Sequence, residues 1–365
     1  MDLVHWGWNS IREEEFSIFK EQGFCVGRIV SEHKHLYKVM TIHGELHAEV
    51  SGKIRHDGLV LERRDLFPAV GDWVLVKIIE HEKKAIIHGF LSRMSKLSRK
   101  VSGNKVYEQI VAANIDFVFL LSSLNNEFNE RRLERGLVVS WDSGAQPVIV
   151  LTKADLCTDM AAKVAAAQRV ARGVSVHIIS SITHDGIESL SRYLRTGSTI
   201  ALLGSSGVGK STLVNCLMGE QAQRVNDIRQ DDDKGRHTTT HRELMILPNG
   251  GLIIDTPGMR EIQLWEASDG LNQTYQDIEE IALGCYYKDC LHRDEPRCAV
   301  KDAVFRGELD SDRFESYKKM QSEFADLSLK RSGHIRAVAK ERGGQYAQLL
   351  QSQYSKKKKG RRTLK

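Results

Sequence analysis

The hydrophobic pattern of the first hundred residues changes from helical to strand-like. Residues 1–22 predict a short amphipathic helix with Trp6, Trp8, Ile11, Phe16 and Phe19 as its apolar set. From Gly23 to about Lys100, short runs rich in Val and Ile alternate with glycines and charged turns. Five short strands without a long helix predict a small barrel such as an OB-fold, although an SH3-like barrel would give a similar pattern. The predicted strands are Phe24–Val30, Leu36–Ile42, Leu46–Ile54, Trp73–Ile79 and Ala85–Phe90.

From about Tyr107 onward, apolar strands alternate with helical segments, which is typical of a parallel sheet covered on both faces. After about Glu266 the pattern is mainly helical and polar, and a cluster of cysteines interrupts it. The sequence therefore predicts an all-β part, an α/β part and a mostly α part. The strands predicted in the α/β part are Ile115–Leu121, Pro147–Leu151, Val174–Ile179, Thr199–Leu203 and Leu252–Ile254.

A glycine-rich loop lies between the strand Thr199–Leu203 and a predicted helix, Thr212–Met218. It fits the G-x-x-x-x-G-K-[ST] pattern of phosphate-binding loops in the strand–loop–helix context that supports this interpretation. Glycines let the backbone N–H groups point at the phosphates, and the helix N-terminus adds a favourable field. We expect Lys210 to reach the β- and γ-phosphates and Ser211 to bind Mg²⁺. The loop consists of Gly204, Ser205, Ser206, Gly207, Val208, Gly209, Lys210 and Ser211, followed by Thr212.

A second motif, Thr152-Lys153-Ala154-Asp155, follows the strand Pro147–Leu151 and fits the [NT]-K-x-D pattern of GTPases. Its aspartate accepts hydrogen bonds from N1–H and the exocyclic amine of guanine, and adenine would leave that carboxylate unpaired. Thr152 stands where asparagine is commoner, so we expect the loss of one supporting hydrogen bond. Ser180 and Ser181 fit the loop that lies behind the guanine base, which is a less specific match.

The third motif is Asp255-Thr256-Pro257-Gly258 after the strand Leu252–Ile254. Asp255 is expected to hold the Mg²⁺ shell and Gly258 to offer its amide to the γ-phosphate. Residues 235–240, Gly-Arg-His-Thr-Thr-Thr, predict a first switch in which Thr239 closes on Mg²⁺.

The predicted active site lacks one residue that is common in GTPases. Met259 follows Gly258, at the position where many GTPases have a glutamine that orients water. We expect slow intrinsic hydrolysis that a partner accelerates. His237 is a candidate to orient the water, and a structural or partner-contacting role is an equal alternative. The expected catalytic set is His237, Thr239 and Lys210.

The order of these motifs is unusual for a GTPase. The base-reading elements at 152–155 and 180–181 precede the phosphate loop, the switch and the D-x-x-G motif at 204–258. The set is complete but circularly permuted, which a domain tolerates when its chain ends lie close together.

Cys285, Cys290, His292 and Cys298 offer three thiolates and one imidazole within fourteen residues. This is the ligand type and number of a closed, tetrahedral structural zinc site. The intervening residues are polar and cannot form a core, so we expect the metal to organise the segment. Unliganded cysteines in a reducing compartment are the alternative.

Charge and composition bear on the expected compartment and on the role of the C-terminal tail. The net charge of +5 comes from the last eleven residues, which carry seven positive charges; without them 46 basic residues face 48 acidic ones. Such a tail is expected to be disordered and is either a plain solvated segment or an arm for nucleic acid. The sequence predicts a cytoplasmic protein, because it has neither a secretion signal nor a run of roughly 18 apolar residues.

The barrel, the permuted motifs and the C-x4-C-x-H-x5-C cluster resemble the ribosome small-subunit-dependent GTPase A family of bacteria over about residues 23–310. The resemblance implies an OB-fold, a permuted P-loop GTPase and a mostly α zinc domain. It also implies binding to the small ribosomal subunit through rRNA, stimulation of GTP hydrolysis by that subunit and a role in its late maturation. The expected division is an N-terminal helical extension, barrel, GTPase, zinc domain and basic tail at 1–22, 23–103, 104–265, 266–354 and 355–365.

Two other interpretations fit the same sequence. One is a regulatory GTPase switch whose barrel and zinc domain bind proteins, and the other is a binding module that never turns over GTP. In each case we expect a monomer. Phosphate contacts make RNA binding fall steeply with salt, whereas apolar protein contacts do not, so salt dependence separates RNA from protein partners.

Overall fold

The computed structural model describes residues 2–33, 36–60, 64–79, 81–100, 108–125, 127–219, 242–255 and 269–329. The N-terminal segment forms a 3₁₀ turn at Leu3–Trp6 and a helix, α1, at Ser10–Lys20. The single predicted helix is thus divided, because Gly7 ends the turn at a φ of 87° and the Asn9 side chain accepts the N–H of Arg12 to start α1.

A five-stranded barrel follows. Its elements are β1 (Cys25–His33), β2 (Leu36–Thr41), β3 (Gly44–Val50), a helix α2 (Gly52–Val60), β4 (Trp73–Ile79) and β5 (Lys84–Phe90). The strand order β1-β2-β3-β5-β4 closes through β1–β4 pairing, and β3 runs parallel to β5. The OB-fold prediction is therefore confirmed. The predicted strand Leu46–Ile54 was too long, because α2 begins at Gly52.

An α/β sheet makes up the middle of the chain, preceded by an unpredicted hairpin of β6 (Lys96–Lys100) and β7 (Glu108–Ala113). The sheet order is β10-β9-β8-β11-β13-β12, with only β12 antiparallel. The hydrophobic pattern predicted five of these strands but not β12, which is short and half-buried. The elements are β8 (Phe117–Ser123), α3 (Glu130–Asp142), β9 (Gln146–Thr152), α4 (Met160–Val170), β10 (Ser175–Ile178), β11 (Thr199–Leu203), α5 (Lys210–Met218), β12 (Arg242–Ile246) and β13 (Leu252–Asp255).

The barrel and the α/β sheet are joined in one eleven-stranded sheet, because β1 pairs with β12. Beside this junction lies Arg28, whose side chain is fully buried. Its guanidinium donates to the carbonyls of Trp6, Gly71 and Asn114 and, at 2.9 Å, to the hydroxyl of Thr199. Burial lowers the pKa of Arg28 to about 10, although the charges of Asp116 and Asp72 oppose this. One side chain thus joins the N-terminal turn, the barrel and β11.

Helices form the C-terminal part: α6 (Asp269–Thr274), α7 (Gln276–Ala282), α8 (Ala299–Phe305) and α9, which covers 311–329. Arg313 of α9 lies between Glu134 of α3, at 2.9 Å, and Asp277 of α7, at 2.7 and 2.8 Å. All three side chains are nearly buried, so this network joins the C-terminal helices to the α/β sheet. Within the described ranges, every helix is too short or too polar to span a bilayer.

Candidate functional site

The phosphate loop follows β11 at the carboxyl edge of the sheet. Gly207 and Gly209 adopt φ values of 76° and 105°, in the left-handed region that favours glycine. The loop then leads into α5, whose first residue is Lys210. The Lys210 ammonium donates to the carbonyls of Gly204 at 2.6 Å and Ser205 at 2.7 Å, so it lies folded over the loop. This arrangement places a cation and a helix N-terminus where phosphates would bind.

The base-reading motif meets the phosphate loop directly. Thr152 ends β9, and its buried hydroxyl donates to the carbonyl of Val208 at 2.6 Å. The threonine therefore makes one supporting hydrogen bond to the phosphate loop. The loss of one further bond relative to asparagine stays a prediction. Lys153 adopts a φ of 59°, which turns the chain from the strand into the loop that presents Asp155.

The loop after β10 orders the Asp155 side chain. Ser180 is buried and donates its hydroxyl to Asp155 Oδ1 at 2.6 Å, while the N–H of Ala154 donates to Ile179 at 3.2 Å. Ser180 also accepts N–H groups of its own loop, from Ile182 and Thr183. The carboxylate itself is exposed and available to a ligand. Ser181 follows, half-buried, in the same loop.

A contact that sequence reasoning missed links this loop to α5. Cys216 Sγ lies 3.2 Å from His184 Nδ1, and His184 adopts a φ of 63°. Cys216 and His184 are 32 residues apart in the chain, so no local pattern could have indicated the pair. The contact brings the base-side loop against the helix that follows the phosphate loop.

The residues predicted to hold Mg²⁺ lie at the ends of two neighbouring strands or just beyond them. β11 and β13 run parallel, with Ala201 opposite Ile254, so Asp255 ends its strand at the same edge as the phosphate loop. Ser211, in the first turn of α5, is exposed beside that loop. A hydroxyl and a carboxylate at this edge fit the oxygen ligands that Mg²⁺ prefers. Three residues of the predicted site, His237, Thr239 and Gly258, lie outside the described residues, as does Met259.

We expect Thr152→Val to weaken GTP binding by about fivefold, because it removes one hydrogen bond to Val208 and leaves the carbonyl unpaired. Equilibrium titration with a fluorescent GTP analogue measures this. Thr183→Val is the matched control, since Thr183 is exposed and its hydroxyl donates only to Asp185. Equal affinities for wild type and Thr152→Val would contradict the assigned role of Thr152.

The four predicted zinc ligands meet in space. One ligand atom from each of Cys285, Cys290, His292 and Cys298 lies within 4.8 Å of all the others. Cys285 Sγ is 3.9 Å from Cys298 Sγ, and His292 Nδ1 is 3.6 Å from Cys285 Sγ and 3.3 Å from Cys298 Sγ. Tetrahedral zinc with bonds of about 2.3 Å to sulfur separates its sulfurs by about 3.8 Å, so the spacing fits.

The backbone around the cluster is shaped for these ligands. His292 is buried and adopts a φ of 58°, and Glu295 accepts the N–H groups of Leu291 and Arg293 on either side of it. Desolvation and the hydrogen bonds of the neighbouring thiols raise the pKa of the Cys290 thiol. A bound divalent cation would lower this pKa, because the thiolate is the form that binds a metal. The donor set thus fits a structural zinc ion that these four side chains would hold.

One edge of the sheet carries a phosphate loop, a guanine-type base motif and a magnesium-type aspartate. The motifs follow an OB-fold in the chain and occur in permuted order. Together with the cysteine–histidine cluster, these features define a circularly permuted GTPase whose C-terminal segment carries the donor set of a metal site. The chain belongs to the RsgA GTPase family, whose model matches residues 90–265.

Relatives and solved structures agree with this assignment. Small ribosomal subunit biogenesis GTPase RsgA 2 of Lactiplantibacillus plantarum is 45% identical over 89% of this chain and 90% of its own length. RsgA 1 of Oceanobacillus iheyensis is 42% identical over 85% and 88%. The crystal structure of YjeQ from Thermotoga maritima is 29% identical with a TM-score of 0.61, covering 83% of this chain and 99% of that one. YloQ, described as a circularly permuted GTPase, is 25% identical with a TM-score of 0.58, covering 83% and 96%.

Proposed function

We propose that this GTPase binds the small ribosomal subunit through rRNA and assists its late maturation, with GTP hydrolysis driving release. The observation that carries the proposal is 45% identity, over nearly the whole chain, to a relative named for small-subunit biogenesis. The OB-fold supports it, since OB-folds often bind oligonucleotides. These relatives give no support to a switch that acts on protein partners. We also propose that the protein acts in the cytoplasm as a monomer and that its parts have the division expected from the sequence.

The roles of the site residues belong to this proposal. Asp155 reads the guanine base, Lys153 covers the ring, and Ser180 and Ser181 support the base. Lys210 and the loop N–H groups bind the phosphates, with Gly258 contributing its amide. Mg²⁺, held through Ser211, Asp255 and Thr239, neutralises charge that develops on the phosphates. His237 orients the attacking water in place of the glutamine that Met259 replaces.

Because Met259 cannot orient water, hydrolysis by the isolated protein is expected to be slow. Purified small subunits should raise the GTPase rate by about tenfold or more, and large subunits should not. Phosphate release at saturating GTP measures both. Lys210→Ala is the control that identifies contaminating activity. A rate that neither subunit changes would contradict the proposed function.

A further inference from the structure

Strand β12 has partners along both edges. On one side Glu243 is in register with Ser31 of the barrel strand β1, and Arg242 with Glu32. On the other side the same Glu243 is in register with Asp255 of β13. Adjacent strands lie about 4.8 Å apart, so the barrel is two strand spacings, about 10 Å, from the backbone of the candidate magnesium aspartate.

The ladder between the barrel strand β1 and β12 is short. Among the described residues, β1 and β12 share two register pairs, whereas β12 and β13 share four. A side-chain contact strengthens it: Arg242 and Glu32 form an ion pair at 3.6 Å, and their side chains are only 14% and 20% exposed. Burial lowers the pKa of Arg242, and the charge of Glu32 opposes that shift. A largely shielded pair interacts more strongly than an exposed one, so it adds a directional side-chain contact to the two backbone register pairs at this edge.

The pairing of β1 with β12 also lies close in the chain to two segments with expected functions. β1 ends at His33, immediately before the connection to β2, and in OB-folds this connection is one of the two that commonly bind oligonucleotides. Arg242 comes three residues after Thr239 in the sequence. A displacement of the β1 end by a bound partner would therefore act on a strand that borders both the predicted first switch and Asp255.

We propose that Glu32 and Arg242 are positioning residues that couple partner binding at the barrel to GTP hydrolysis. Neither touches the nucleotide: the pair fixes β12 against β1, and β12 in turn positions Asp255 through the β12–β13 ladder. The proposal rests on the proposed function, because it requires a partner that binds the barrel and stimulates hydrolysis.

The test compares Glu32→Gln with Glu45→Gln in the full-length protein. Both substitutions remove one negative charge from the barrel, but Glu45 pairs with Lys38 at 3.3 Å in an exposed contact of β2 and β3, away from β12. General electrostatic effects on RNA affinity should thus be the same in both. Small-subunit binding is measured by co-sedimentation, and GTP turnover is measured with and without subunits.

With Glu32→Gln we expect subunit binding, intrinsic turnover and the KM for GTP to stay within about twofold of wild type. The subunit-stimulated kcat should fall by about fivefold or more, since only the coupling is lost. Arg242→Gln should have the same effect from the other side of the ladder. The exchanged double variant Glu32→Arg with Arg242→Glu should recover at least half of the stimulation.

The inference is overturned if Glu32→Gln and Arg242→Gln are stimulated as strongly as wild type, or if Glu45→Gln loses as much stimulation as Glu32→Gln. It is also overturned if both single variants are impaired without subunits and the exchanged variant recovers nothing, because the pair then acts only in folding. A wild-type protein that no subunit stimulates is a different result, which overturns the proposed function itself.

Discussion

Asp155→Asn is expected to lower the affinity for GTP by about 100-fold or more and to create affinity for xanthosine triphosphate. Guanine offers two donors, N1–H and an amine, to the two oxygens of a carboxylate. Xanthine has a carbonyl in place of the amine, so it matches an amide that accepts once and donates once. Ser180 donates to Asp155 Oδ1 at 2.6 Å, and the asparagine oxygen can keep this bond, so the loop should hold its shape.

Competition between labelled GTP and unlabelled xanthosine or guanosine triphosphate measures this change of specificity. Asp185→Asn is the matched control, because Asp185 is exposed in the same loop and its backbone carbonyl, which the substitution keeps, accepts the N–H of Ser180. Full GTP affinity in Asp155→Asn would show that Asp155 does not read the base. The same loss in Asp185→Asn would indicate a disturbed loop instead.

Cys290→Ser is expected to abolish stoichiometric zinc binding and to unfold the segment between Cys285 and Cys298. Structural zinc contributes on the order of 10 kcal/mol in small zinc domains, and the polar residues of this segment offer no core to replace it. GTP affinity should stay near that of wild type, because the four ligands lie on the C-terminal segment, whereas the phosphate and base loops belong to the α/β sheet.

Elemental analysis of the purified protein, together with limited proteolysis, measures this effect. Cys157→Ser is the control, since Cys157 is a half-buried cysteine that lies outside the cluster. It should retain one zinc ion per chain and resist proteolysis as wild type does. A Cys290→Ser protein that keeps its zinc and its protease resistance would contradict the assigned ligand set.

The local parts of the site were predictable from the sequence because each motif carries its own structural context. β11 has the bounds expected for it, Thr199–Leu203, and the phosphate loop and α5 follow as a strand–loop–helix unit. The small barrel was also predictable, because five short runs rich in Val and Ile lie between glycines and charged turns. In the structure β3 and β5 alternate between buried and exposed positions.

The contacts that assemble these parts were not predictable. The hydrogen bond from Thr152 to Val208 joins residues 56 positions apart and depends on how two loops pack. β12 gave little signal, because it is five residues long and only Leu244 in it is buried. The burial of Arg12 and Arg28 contradicts the usual preference of arginine for the surface, and only the carbonyl and side-chain acceptors around them explain it.

Arg28 also constrains the order in which the molecule can be completed during synthesis. Its acceptor at Trp6 leaves the ribosome early, but Thr199 follows Arg28 by 171 residues in the chain. Until β11 has been made, this N–H group of the guanidinium lacks the Thr199 hydroxyl as its acceptor and must stay hydrated. The barrel can fold as a unit on the nascent chain, yet it can dock firmly only once most of the GTPase sheet exists. A prematurely terminated chain would therefore carry a barrel whose junction still faces water.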